Sequence, residues 1–156
     1  MCDSYGIVRG NSSYGSIYSN GRTHGTLSDF SFLYELEEII GDRYGVTLYI
    51  GDEVPNYILR DGYMEACCDY TETYCALLCL DEYFSYYPAG YFGQLCYNQI
   101  QGVEIYLAGT SSANILGLTY SSDYDTVRIM CYDVEAVYHD CLTVTHELSH
   151  CTDQAV

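Results

Sequence analysis

The chain contains no lysine and no tryptophan, and its five basic residues are all arginine: Arg9, Arg22, Arg43, Arg60 and Arg128. Against them stand 22 acidic residues, so the formal net charge is −17. Because so few cations are available to neutralise phosphate groups, we expect no binding to nucleic acid or to an anionic membrane. The acidic surface is either only solvated or it favours metal cations and basic substrates.

Long apolar runs are also absent, which argues against a transmembrane helix. The first ten residues, MCDSYGIVRG, lack the basic start and the apolar run of a secretory signal, so none is visible. A length of 156 residues is enough for one domain with a core of useful size. We therefore expect a single folded domain with no membrane span.

The nine cysteines include no CxxC pair, and none lies near a histidine pair at zinc-finger spacing. A structural zinc cluster is therefore weakly supported. We prefer disulfides formed in an oxidising compartment, and hence an extracellular or cell-surface protein. Buried or free thiols in a reducing cell are the alternative. The odd number leaves at least one cysteine unpaired or bonded to another chain.

The first 27 residues are mostly Ser, Gly, Asn and Tyr, which predicts a flexible tail before a domain over 28–156. Ser28 and Asp29 are good N-cap residues for a first helix, and Gly41 and Gly45 are expected to end it. Its apolar face carries Phe32, Leu33, Leu36, Ile39 and Ile40, whereas Glu35, Glu37 and Glu38 are expected to point mostly outward.

A second helix is predicted after Asp69 and Glu72, which have the spacing of a capping box. Its apolar face consists of Leu77, Leu80, Phe84 and Tyr87. Pro88 and Gly90 are expected to end it, and a short helix over 91–97 follows. The segment from Gly51 to Asp69 has no clear pattern.

Four runs have the composition of strands, namely VTLYI (46–50), VEIYLAG (103–109), ILGLTY (115–120) and TVRIMCYDV (126–134). In the second run, apolar and polar or aromatic residues alternate, which predicts a sheet with one buried face. The last helix is expected to begin near Asp140. This mixed order of helices and strands predicts the α+β class.

The last predicted helix carries the motif HExxH, from His146 through Glu147 to His150. The two histidines are one turn apart, so both imidazoles project from one face and can bind the same Zn²⁺. Glu147 can then act as general base on a water molecule that the zinc ion acidifies. Peptide hydrolysis is the reaction that this arrangement serves best. An ordinary amphipathic helix with capped or solvated histidines is the alternative.

On these residues the chain resembles the N-terminal subdomain of the zincin metallopeptidases, in which a helix and a twisted sheet pack behind the HExxH helix. The pattern HExxHxxD, from His146 to Asp153, is similar to a gluzincin-like branch. That branch includes the lethal-factor-like peptidases and a group of zinc-binding metallopeptidases from bacterial secreted proteins. The resemblance covers residues 29–156, and HELSH is its one specific motif.

The resemblance implies that His146 and His150 are zinc ligands and that Glu147 is the general base. It also implies that ILGLTY or a neighbouring strand, with Leu116, Gly117 and Leu118, pairs with an extended peptide substrate by strand addition. The metzincin pattern is excluded, because it requires glycine and histidine where this chain has Asp153 and Val156.

A third zinc ligand is the open question, since catalytic zinc sites usually have three protein ligands. Asp153 lies about 10 Å along the helix from His146, so an indirect or capping role is preferred over direct ligation. His139 is by default a loop residue. Asp123 and Asp125 favour a turn over a Ca²⁺ site.

From the missing ligand we expect the chain to be a fragment of a secreted or surface zinc metalloendopeptidase, cut just beyond its active-site helix. The alternatives are a non-catalytic Cys- and Tyr-rich domain that binds metal or a protein partner, and an intracellular thiol-rich protein. The oligomeric state and the cleavage specificity are not determined by these residues.

Overall fold

The computed structural model describes residues 27–95, 102–109, 115–121, 127–139 and 142–155. Within these ranges the chain forms six α-helices, one short 3-10 helix and a mixed four-stranded sheet. The α+β class predicted from the sequence is therefore confirmed. The predicted flexible tail lies outside the described residues except for Leu27.

The helices are α1 Leu27–Tyr44, α2 Asn56–Asp61, α3 Tyr70–Phe84, α4 Tyr91–Gln94, α5 Val134–His139 and α6 Leu142–Ala155. The strands are β1 Val46–Tyr49, β2 Gly102–Ala108, β3 Gly117–Ser121 and β4 Val127–Asp133. The 3-10 helix Gly51–Glu53 follows β1. In the described part of the chain, no helix combines the length and the hydropathy needed to cross a membrane.

The sheet has the strand order β1-β2-β4-β3, so β1 and β3 lie at opposite edges of the described sheet. β1, β2 and β4 run parallel, and β3 runs antiparallel to β4. Gly117 and Thr119 lie opposite Tyr132 and Met130 of β4. Because alternate residues of a strand face the same way, Gly117 and Thr119 project from one face of the sheet.

The main core lies on that face, where the sheet packs against α1, α3, α5 and α6. Val103, Ile105 and Leu107 of β2 are buried in it, as predicted. The prediction of a single buried face is wrong, because the second face is also covered. There the residues around α2 fold over β2 and form a smaller cluster of Val54, Ile58, Met64, Tyr106 and Ala108.

The first helix differs from the prediction at both ends and on one face. It begins at Leu27, so Ser28 and Asp29 lie inside it, and it passes through Gly41. It ends at Tyr44, where Gly45 takes a φ of 72° and its N–H donates to the Gly41 carbonyl at 2.8 Å. Glu37, predicted to point outward, is buried at 7% exposure, whereas Ile39 is 44% exposed.

The second helix is capped as predicted, since Asp69 Oδ1 accepts a 2.9 Å hydrogen bond from the Glu72 N–H. It ends at Phe84, before the expected stop at Pro88. The hydroxyl of Ser85 donates to the Glu82 carbonyl at 2.6 Å, a local bond that competes with continuation of the helix. Within the expected 91–97 helix, α4 covers only Tyr91–Gln94 of the described residues.

The end of the chain contains two helices where one was expected. Asp133, the last residue of β4, is buried, and its Oδ1 accepts hydrogen bonds from the N–H groups of Glu135 and Ala136. Such capping starts a helix directly after the strand. The short helix α5 therefore precedes α6, and Asp140, where the last helix was expected to begin, lies outside the described residues.

Candidate metal centre

The HExxH residues lie on α6, which is held against the sheet by its apolar face. Val144 and Leu148, four residues apart, are 1% and 3% exposed. His146 and His150 are exposed, because residues two positions away from the buried pair point to the other side of a helix. Glu147 follows Val144 by three positions and is therefore on the buried side, facing β3.

The two histidines bring their ring nitrogens together. His146 Nε2 and His150 Nε2 are 3.1 Å apart, and the ring planes are inclined at 86°. Two nitrogens that bind one tetrahedral Zn²⁺ at about 2.0–2.1 Å are separated by about 3.3 Å. The spacing of the pair therefore fits two ligands of one zinc ion.

Glu147 is buried at 5% exposure and has a defined partner. Thr119 Oγ1 donates a hydrogen bond of 2.6 Å to Glu147 Oε2, and lies 3.3 Å from the Glu147 carbonyl oxygen. This partner was not predicted from the sequence. The sequence feature that could have identified Thr119 is its position two residues after Gly117, which places both residues on the same face of the predicted substrate strand.

Gly117 allows the close approach of β3 and α6. A Cβ atom at this position would lie 2.9 Å from Thr143 Cγ2, 3.0 Å from Glu147 Cγ and 3.1 Å from Glu147 Oε1. The absence of a side chain at Gly117 and the hydroxyl of Thr119 together set the position of the Glu147 carboxylate.

Further contacts hold the helix at its exposed side. Thr145 Oγ1 and Tyr83 Oη are 2.8 Å apart, which links α6 to α3, and Tyr83 Oη is 2.7 Å from Tyr87 Oη. Ser149 Oγ donates a 2.6 Å hydrogen bond to the His146 carbonyl. The histidine pair therefore stands on a helix that is anchored on two sides.

The three residues predicted for the substrate strand lie at the sheet edge. Gly117 and Leu118 belong to β3, and Leu116, which precedes the strand, is 49% exposed while its carbonyl accepts from the Asp133 N–H at 3.0 Å. Gly117 faces α6, and Leu118 lies on the opposite face of the sheet. Pairing of this edge with a peptide stays a prediction.

Among the described side chains, no candidate for a third ligand joins the histidine pair. Within the described ranges, no group of three or more His, Cys, Asp or Glu residues is arranged to hold a metal ion. His139, at the end of α5, is exposed and lies 3.7 Å from Glu135. The backbone of Asp153 is part of α6, but its side chain, like Asp123 and Asp125, lies outside the described residues.

One described cysteine, Cys75, is disulfide-bonded, and the extracellular location inferred from disulfides stays a prediction. Cys67 and Cys68 carry free thiols, of which Cys67 is buried and Cys68 is exposed. Burial raises the pKa of the Cys67 thiol, which lies 3.8 Å from Thr73 Oγ1. Burial therefore disfavours the thiolate, which is the reactive form of cysteine.

Comparisons of the chain with protein-family models, with curated proteins and with solved structures find no match. The resemblance to the zincin metallopeptidases therefore rests on the motif and on its geometry.

Proposed function

We propose that this protein is a zinc-dependent metalloendopeptidase. The observation that carries the proposal is the arrangement at α6, where two histidine nitrogens converge at 3.1 Å and the intervening glutamate is held by a separate strand. In an ordinary amphipathic helix, nothing requires a buried carboxylate directly beside an exposed histidine pair. The pattern agrees with the roles that the resemblance implies for His146, Glu147 and His150.

In this proposal His146 and His150 would hold Zn²⁺. The chemistry that the bound ion would supply is an acidified water molecule and a polarised peptide carbonyl. Glu147 accepts the proton of the attacking water and returns it to the leaving amine, and Thr119 orients the carboxylate for both transfers. An extended peptide pairs with β3 at the sheet edge, near Gly117.

The second candidate is a non-catalytic domain that binds metal or a protein partner. It is favoured by the absence of a third ligand among the described side chains. Under either function, an extracellular or cell-surface location remains part of the proposal.

Zinc binding and hydrolysis, measured together, test the proposal. The whole chain, with exposed thiols blocked, is titrated with Zn²⁺ in a calorimeter and then assayed on a labelled, unfolded protein substrate. We expect one zinc ion per chain, lost in the double variant His146→Ala/His150→Ala. In Glu147→Gln, zinc binding should persist while hydrolysis falls at least about 100-fold.

Two outcomes separate the candidates. Zinc binding by the parent chain without any hydrolysis would support the non-catalytic domain. Hydrolysis that is equal in the parent chain and in Glu147→Gln, and that is lost in His146→Ala/His150→Ala, would overturn the assignment of the general base.

A further inference from the structure

A second candidate site lies at the opposite edge of the sheet from the histidine pair. An open cleft of about 440 Å³ runs between α1 and β1, and Glu53 of the 3-10 helix also lines it. β1 and β3 are separated by two strands, which corresponds to about 14 Å across the sheet. The cleft is therefore distinct from the candidate metal centre, and its volume is within the range of small-ligand sites.

Glu37 is the unusual residue of this cleft. It is 93% buried, its carboxyl group lies close to that of Glu53, and its Oε2 has no hydrogen-bond partner among the described residues. Burial, reinforced by Glu53 and Glu38, raises the pKa of Glu37 to about 10, so the group is neutral near pH 7. An unsatisfied buried polar atom is destabilising, and a ligand that hydrogen-bonds to it would offset that cost.

The charge around Glu37 is entirely of one sign. Apart from the tyrosines, the titratable groups that face it or line the cleft are acidic: Glu35, Glu38 and Asp42 on α1, and Asp52 and Glu53 on the 3-10 helix. None of the described residues that line the cleft is basic. Arg43 and Arg60 are paired elsewhere, with Asp81 and Asp61. The cleft therefore favours a cation.

The residues that line the cleft indicate which kind of cation it binds. The described carboxyl groups do not form a set of three that is arranged for a metal ion. Instead, two side-by-side carboxyl groups are accompanied by the side chains of Tyr34 and Tyr49. A planar guanidinium group matches such a site, because it donates in a fork to carboxylates and packs well on aromatic rings.

We propose that this cleft binds a guanidinium group between the carboxylates of Glu37 and Glu53. The ligand is an arginine side chain of a polypeptide or a free guanidine, and the same contacts recognise both. Binding ionises Glu37 and releases its proton to solvent, so the bound site contains two carboxylates and one guanidinium. The proposal does not depend on zinc or on hydrolysis.

Calorimetry on the full chain tests this directly. The ligands are the capped peptide Gly-Arg-Gly, its citrulline counterpart, which is neutral and nearly isosteric, and methylguanidinium. We expect the arginine peptide to bind, the citrulline peptide not to bind, and the affinity to rise up to about tenfold per pH unit between about pH 6 and pH 9. Two buffers of different ionisation enthalpy should report about one proton released per ligand.

The affinities of the arginine peptide and of methylguanidinium distinguish a polypeptide arginine from a free guanidine as the natural ligand. Tighter binding of the peptide than of methylguanidinium indicates a polypeptide arginine, and equal binding indicates a small guanidine. Glu37→Gln, which resembles the neutral form of Glu37, should fold normally, weaken binding at least about tenfold near pH 8 and abolish proton release. Glu53→Gln should also weaken binding, whereas Glu65→Gln, an exposed residue outside the cleft, should change neither quantity.

Three results would overturn the inference. These are equal binding of the citrulline and arginine peptides, unchanged affinity in Glu37→Gln, and displacement of the arginine peptide by micromolar Ca²⁺, which would indicate a metal site instead.

Discussion

Thr119 on β3 donates a hydrogen bond of 2.6 Å to Glu147 on α6, across 28 positions of the chain. The contact joins the strand predicted to receive substrate to the residue predicted to act as general base. A buried carboxylate with one short hydrogen bond has a defined orientation. A displacement of the predicted substrate strand would therefore also move the carboxylate of the predicted base.

We expect Thr119→Val to lower kcat/KM for peptide hydrolysis by about 10- to 100-fold, because the variant removes the donor that orients Glu147. Zinc affinity should change little, since neither histidine loses a contact. Thr119→Ser keeps the hydroxyl and should retain most of the activity. Steady-state kinetics and zinc calorimetry on both variants check this, and equal activity in Thr119→Val and the parent chain would contradict it.

Gly117→Ala should destabilise the fold and displace Glu147. The new Cβ would meet Thr143 Cγ2 at 2.9 Å and Glu147 Cγ at 3.0 Å, so these side chains, or the helix that carries them, must shift. We expect a loss of about 1–3 kcal/mol in the free energy of unfolding, measured in urea, together with reduced hydrolysis. Gly93→Ala is the control, because a Cβ there meets no atom within 4 Å. Similar stability of the two variants would disprove the close packing.

Zinc should stabilise the folded chain through His146 and His150. At a free zinc concentration of about 100 times Kd, the gain in the free energy of unfolding is about 2.7 kcal/mol, and a chelator removes it. His146→Ala should abolish the rise in melting temperature. His139→Ala, which changes an exposed histidine beside Glu135, should preserve it. Differential scanning calorimetry with blocked thiols measures this, and loss of the rise in both variants would implicate His139 as a ligand.

The free energy of unfolding should decrease as the pH rises, because Glu37 titrates. Its pKa is raised from 4.5 in the unfolded chain to about 10 in the fold, so the native state holds a proton that the unfolded state releases. This contribution is complete below about pH 4.5 and is lost as the pH rises towards 10. The free energy of unfolding decreases by at most about 1.4 kcal/mol per pH unit. Because solvent in the open cleft screens Glu37, the decrease extends over a narrower pH range than the pKa values alone imply.

Glu37→Gln removes this titration. The variant should therefore gain stability relative to the parent chain as the pH increases, with little difference near about pH 4.5 and a clear gain near about pH 8. Urea unfolding at both pH values measures the difference. Glu65→Gln provides the exposed control, and a Glu37→Gln variant that is less stable than the parent at the higher pH would show that Glu37 is ionised in the fold.

The spacing of residues along the chain determined the class of the fold and most of its elements. A helical period predicted α1 and α3, and strand composition predicted the four strands within a few residues, because these signals are local. The spacing of His146 and His150 likewise predicted two nitrogens on one face of a helix, and the rings do converge.

Only the tertiary structure decided which elements meet. The hydrogen bond between Thr119 and Glu147 depends on β3 packing against α6, a contact between distant segments that no local period contains. The same holds for Glu37, which shares a side of α1 with Leu33 and is buried because β1 and the 3-10 helix pack beside it. Periodicity determines the direction of a side chain, whereas its burial and its partners are determined by the neighbouring elements.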